Sequence, residues 1–183
     1  DILVWGGSFF NKAGGTPDFV SWHQDATYWG LEPMDIVTAW VALTPSTVES
    51  GCMRVVPGSH KGEILPHTET YGANNLLSRG QEIAVDVPEG AGVDVALKAG
   101  EMSLHHVLLA HASGPNTTDD RRIGLALRYI PPHVRQLKVR DGELSTSTPV
   151  RRTCHWRSGL QRLGGCVEFT GKCLNPRNLN ERI

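Results

Sequence analysis

The sequence predicts a mainly β domain, built as a sandwich or barrel of short strands. Three observations point there. Apolar runs of strand length end repeatedly at Gly and Pro. Residues 93–98 and 123–129 alternate apolar with polar or small side chains, the period of a half-buried strand. No stretch carries the 3.6-residue period of a long amphipathic helix.

The elements follow in order. Residues 1–5 are apolar and should stop at Gly6-Gly7. Residues 19–23 form a strand approaching a His-x-Asp motif. Residues 36–43 are nearly continuously apolar up to Thr44-Pro45, and residues 52–56 end at Pro57-Gly58. Residues 68–81 and the region near Glu89 read as loops. Gly100 turns the chain into residues 102–111, which read as one strand with His105 and His106 in its middle and His111 at its end. The turn Ser113-Gly114-Pro115-Asn116 follows. The alternating run from Ile123 ends at Pro131-Pro132.

The 183 residues and formal net charge of -1 suit one domain with one core. Near-neutral charge argues against nucleic-acid and membrane-surface partners. No apolar run approaches the roughly 20 residues of a membrane span, and no signal peptide opens the chain. The start at Asp1, already in strand sequence, suggests that the natural N-terminus lies upstream. Cys52 is isolated, and Cys154, Cys166 and Cys173 lack a Cys-x-x-Cys pair. That fits free thiols in a reduced, cytoplasmic protein. Composition shifts near Gly142, so the domain is assigned to residues 1–142. Residues 143–183 are expected to form an atypical tail, either loosely structured or foreign to the fold, as after a shifted reading frame. Oligomeric state has no sequence signal.

His23 and Asp25 stand two apart, and on a strand such residues leave one face. A second imidazole must come from a distant strand, from among His105, His106 and His111. His111, beside a turn, is the one a substrate could reach. Two imidazoles and a carboxylate on one side of a metal leave positions open, the pattern of mononuclear non-haem iron. Arg122 opens the next strand and could take a carboxylate through two parallel hydrogen bonds. By parity Arg122, Gly124, Ala126 and Arg128 share a face, and the two small residues would leave room for a ligand.

These residues sit in a longer pattern: Trp22-His23-Gln24-Asp25, the stretch 49–60 closing on Pro57-Gly58-Ser59-His60, Gly100-Glu101, His111-Ala112-Ser113-Gly114-Pro115-Asn116 and Arg121-Arg122. Over residues 2–135 this resembles the phytanoyl-CoA dioxygenase family of Fe(II)/2-oxoglutarate oxygenases. The resemblance implies a double-stranded β-helix, or jelly roll, with few short helices. It implies iron on His23, Asp25 and His111, and the far carboxylate of 2-oxoglutarate on Arg122 beside Ser113. Gln24 and Trp40 would be further co-substrate contacts, and His60 would be structural or substrate-side. The implied reaction consumes O2, hydroxylates a C–H bond of a small organic substrate and releases succinate and CO2. Asp25 favours hydroxylation over halogenation, because related halogenases carry a small residue there. Two other readings compete: a zinc hydrolase using His23, His106 and His111, and a jelly-roll binding module without turnover. Tyr28, Trp29, Leu31 and Trp40 either line an apolar pocket or belong to the core.

Overall fold

The computed structural model describes residues 1–70, 72–77, 81–84, 87–88, 90–140, 143–146, 168–169 and 172–173. Its elements are β1 (Leu3–Lys12), β2 (Val20–His23), α1 (Ala26–Trp29), β3 (Leu31–Glu32), β4 (Val37–Ala42), β5 (Met53–Val55), β6 (His67–Glu69), β7 (Gln81–Ile83), β8 (Val93–Val95), β9 (Met102–His106), β10 (His111–Ser113), β11 (Arg122–Ile130), β12 (Arg135–Arg140) and β13 (Glu143–Thr146). Two four-stranded sheets make the body: a major sheet in the order β1-β11-β4-β9 and a minor sheet in the order β2-β10-β5-β8. Every neighbouring pair in both is antiparallel. This is the jelly-roll arrangement, mainly β, and among the described residues the helical elements are one short helix and a 3-10 turn at Ser59–Lys61.

Alternation along the strands divides the major sheet into two faces. On the inner face stand Lys12, Trp40, Ala42, Ala126 and Arg122, all buried. Trp40, Ala42 and Ala126 pack with Phe10 and Leu97. At the other end Leu3, Leu31, Ile36, Val107, Ile130 and Val134 form a second buried cluster. Each such aliphatic side chain contributes ~1.5–3 kcal/mol by leaving water. The outer face is apolar too. Phe9, Leu125, Val41 and Met102 are register neighbours across the four strands, and Phe9 and Met102 are 61% and 57% exposed.

Three expectations change. The run 102–111 is not one strand. The chain leaves the major sheet after His106, turns a corner through residues 107–110, and enters the minor sheet at His111. Gly6-Gly7 does not end β1, which continues to Lys12 opposite the long β11, with a register shift between Val4 and Gly6. The presumed loop 68–81 contributes to a two-stranded ribbon, β6 with β7. Glu89 and Gly142 lie outside the described residues, as does most of the tail. Of the tail, β13 pairs with β12, and Glu168–Phe169 pairs with Lys172–Cys173.

Candidate active site

A cavity of about 340 Å³ lies between the sheets, and His23, Asp25 and His111 line it. His23 ends β2 and His111 begins β10. The two are register partners, with ring centroids 4.1 Å apart. Each ring is set by the same local device. Nδ1 of His23 donates to the Ser21 carbonyl at 2.9 Å, and Nδ1 of His111 donates to the Leu109 carbonyl at 2.8 Å. A carbonyl can only accept, so Nδ1 carries the proton and Nε2 keeps its lone pair for the site.

Asp25 arrives differently from what strand alternation suggests. The chain leaves β2 after His23, and Asp25 has helical dihedrals (φ -57, ψ -32) at the start of α1. Its carboxylate makes no capping bond and instead lies 3.5 Å from Nε2 of His23. One donor atom from each of His23, Asp25 and His111 lies within 4.8 Å of the others. Burial alone would raise the Asp25 carboxyl, but the adjoining side chains of His23, His111 and His105 outweigh it and bring it to about 2. Burial, aided by the neighbouring His23, lowers His111 to about 3. At neutral pH the cluster therefore presents an ionised carboxylate and a neutral His111 imidazole, the forms that bind a metal. Two nitrogens and one oxygen suit a first-row divalent ion with open positions.

Arg122 opens β11 and is buried, whereas Arg121 beside it is exposed. Its guanidinium carbon sits 5.3 Å from the centre of the Trp40 ring. Burial lowers it to about 10, still cationic at neutral pH. Its Nε is buried without a partner. Gly124 was expected to leave ligand space, but a Cβ there would overlap the Trp40 indole. The missing side chain makes room for Trp40, and Trp40 supports Arg122.

Ser113 lines the cavity from β10. Behind it Lys12, fully buried, donates from Nζ to Ser113 Oγ at 2.7 Å and also to the Gly114 carbonyl. When Lys12 is protonated it can only donate, so Ser113 Oγ then accepts and its own proton is free to donate elsewhere. Asn116 holds the turn beyond, donating to the Lys12 and Asp120 carbonyls at 3.3 and 2.8 Å. Gly51, at φ +71, lies where a Cβ would strike the Gly114 and Pro115 carbonyls. From the 57–60 loop, Ser59 Oγ accepts from Ala110 N–H at 2.9 Å, just before His111.

Gln24, expected as a co-substrate contact, does not line the cavity. Its amide donates to the Leu108 and Glu63 carbonyls (2.8 and 3.3 Å) and accepts from Leu65 N–H (2.8 Å). It ties three segments together beneath the site. Of the two adjacent histidines, His105 faces the cavity, its ring 5.1 Å from that of His111. His106 turns away toward His60, at 6.1 Å. The triad His23, His106 and His111 is thus not assembled. Tyr28, Trp29 and Trp40 line the cavity, while Leu31 belongs to the core. Sequence reasoning missed Lys12 and Thr38. Lys12 sits between aromatic and glycine-rich segments, and only the inward parity of β1 could have marked it. Arg128 was placed on the inner face but given no role.

The model of the phytanoyl-CoA dioxygenase (PhyH) family matches residues 3–124. The chain belongs to the phytanoyl-CoA dioxygenase family. The peroxisomal phytanoyl-CoA dioxygenase of Homo sapiens is 34% identical over 111 residues, 58% of this chain and 32% of that protein. Among solved structures, the apo form of the non-heme monooxygenase ThoJ matches with a TM-score of 0.66 and 40% identity, covering 82% of this chain and 55% of ThoJ. The epimerase SnoN, in complex with Fe3+, alpha ketoglutarate and nogalamycin RO, matches with a TM-score of 0.58 and 27% identity, covering 74% and 52%. The chain spans about a third of the human protein's length and about half of these solved chains. His23, Gln24, Asp25, Trp40, His111, Ser113 and Arg122 all fall within the matched residues, and Arg128 lies beyond them.

Proposed function

We infer that this family member is a non-haem Fe(II)- and 2-oxoglutarate-dependent oxygenase, and within that class a hydroxylase of a C–H bond in a small organic substrate. The observation that carries the reading is the His23–Asp25–His111 cluster sharing one cavity with the buried Arg122, which has no carboxylate partner among the described residues. When bound, the iron and its co-substrate supply oxygen activation coupled to oxidative decarboxylation of 2-oxoglutarate to succinate and CO2. His23, Asp25 and His111 hold the metal. Arg122 pairs with the far carboxylate, with the Ser113 hydroxyl donating beside it. Trp40 keeps the guanidinium in place. The two sheets exclude bulk water, which strengthens each of these charge contacts. Asp25 occupies the carboxylate position of the ligand set, which favours hydroxylation over halogenation.

Among the described residues no helix is long and apolar enough to cross a membrane. Cytoplasmic residence is part of the proposal and rests on the buried free thiol of Cys52. The division into a domain of residues 1–142 and a tail is likewise proposed, on the composition shift alone.

The test is conversion of 2-oxoglutarate to succinate by the Fe(II)-loaded protein in air. Succinate should form, and Asp25→Ala should abolish it. A folded, iron-loaded protein that makes none would overturn the reading.

A further inference from the structure

Six residues beyond Arg122, the same face of β11 carries a second cavity-lining arginine. Arg128 is the register partner of Thr38 on β4, and Thr38 is the register partner of His105 on β9. The three thus form one row across the major sheet, and all three line the cavity.

Each member of the row holds a buried polar atom without a partner: Thr38 Oγ1, His105 Nδ1 and Arg128 Nε. Thr38 is 2% exposed and His105 6%. Buried polar groups are normally hydrogen-bonded, so three unpartnered ones in a row facing one cavity offer a ready set of contacts to a polar ligand. The guanidinium is already aimed. Arg128 Nη1 donates to Ser8 Oγ at 2.6 Å, and the group lies 5.3 Å from the centre of the Trp29 ring. Among the described residues it has no carboxylate ion pair. Burial weakens its hold on the proton and the Asp25 charge offsets this only in part; that carboxylate is committed to the metal cluster.

Charge balance points the same way. Among the lining residues Arg122 and Arg128 face a single carboxylate, Asp25. A divalent ion leaves three positive charges there. The dicarboxylate co-substrate cancels two, and a further anionic group cancels the third. Arg122 and Arg128 stand roughly 20 Å apart at about 3.3 Å per strand residue, so they serve opposite ends of the cavity.

We propose that Arg128, Thr38 and His105 form the primary-substrate subsite, and that the substrate carries a carboxylate held by Arg128. This rests on the oxygenase reading above for the meaning of the other end of the cavity. Tyr28 and Trp29 provide an apolar wall at the same subsite, so the acid group belongs to a molecule with an apolar body.

The probes are octanoate and its neutral counterpart octanamide, titrated calorimetrically into anaerobic, Fe(II)-loaded protein with and without 2-oxoglutarate. Octanoate should bind at least about tenfold more tightly than octanamide, the range of a charge-assisted bidentate contact. Arg128→Gln should erase that preference, and Arg128→Lys should retain part of it. The 2-oxoglutarate affinity of Arg128→Gln should change less than about threefold. Equal binding of acid and amide, or no binding of either, overturns the proposal. So does an undiminished acid preference in Arg128→Gln, or loss of its 2-oxoglutarate binding, which would assign Arg128 to the co-substrate. Absence of 2-oxoglutarate binding in the wild type would instead sink the oxygenase reading, and the acid preference would still be read on the metal-loaded protein.

Discussion

Lys12 and Arg122 stand opposite each other as register partners of β1 and β11, two buried cations side by side. Burial first, and the Arg122 charge second, lower the Lys12 ammonium to about 7. Like charges in a dry place repel, and a bound carboxylate relieves both. This end of the cavity is therefore held in readiness for an anion at a cost to the empty protein.

That cost has a pH signature. Between about 7 and the ordinary lysine value of 10.5, Lys12 is neutral when folded but protonated when unfolded. The unfolded state binds the extra proton, so this group's contribution to stability rises with pH across the window. The melting temperature of the ligand-free protein should carry a rising component from pH 7 to 10. Lys12→Met should remove that component and weaken 2-oxoglutarate binding by about tenfold, since Ser113 loses its fixed polarity and the anion loses a charge. A Lys12→Met protein with unchanged pH dependence would place the effect elsewhere.

Gly124→Ala tests the support beneath Arg122. The added methyl would overlap the Trp40 ring, and overpacking of this kind costs ~1–3 kcal/mol. Thermal unfolding should fall, and 2-oxoglutarate affinity should fall with it because Trp40 carries the guanidinium. Pairing the change with Trp40→Leu should recover stability but not affinity. Wild-type affinity in Gly124→Ala would show that Trp40 does not position Arg122.

Gln24→Ala separates a structural role from ligand contact. Three backbone partners would lose a buried amide, at ~1–3 kcal/mol for each group left unpaired. Stability should drop markedly, while the folded fraction keeps 2-oxoglutarate affinity near wild type. A stable variant with weakened 2-oxoglutarate binding would restore Gln24 as a co-substrate contact.

Much of this was legible in the sequence because alternation is local. The parity of residues 122–129 placed Arg122 and Arg128 inward without any tertiary information, and Pro131-Pro132 marked the end of β11. What could not be read depended on distant partners. Residues 102–113 contain no Gly or Pro until the final turn, so nothing local shows that the chain changes sheets between His106 and His111. That corner brings His105 beside His111. Gly6-Gly7 would end an isolated strand, yet β11 supplies a full-length partner. Asp25 joins the cluster through a helical turn rather than strand parity. Gln24 was given a co-substrate role by the family resemblance alone, and its partners at residues 63–65 and 108 are too distant in sequence to be read locally.

The central claim is that His23, Asp25 and His111 hold iron within reach of a 2-oxoglutarate anchored by Arg122. Anaerobic titration of the Fe(II)-loaded protein with 2-oxoglutarate reads it directly through the weak visible metal-to-ligand charge-transfer band. The band should appear and saturate in the wild type, vanish in His111→Ala and Asp25→Ala, and require far more 2-oxoglutarate in Arg122→Gln. A folded, iron-bound wild type that shows no band at any 2-oxoglutarate concentration would contradict it.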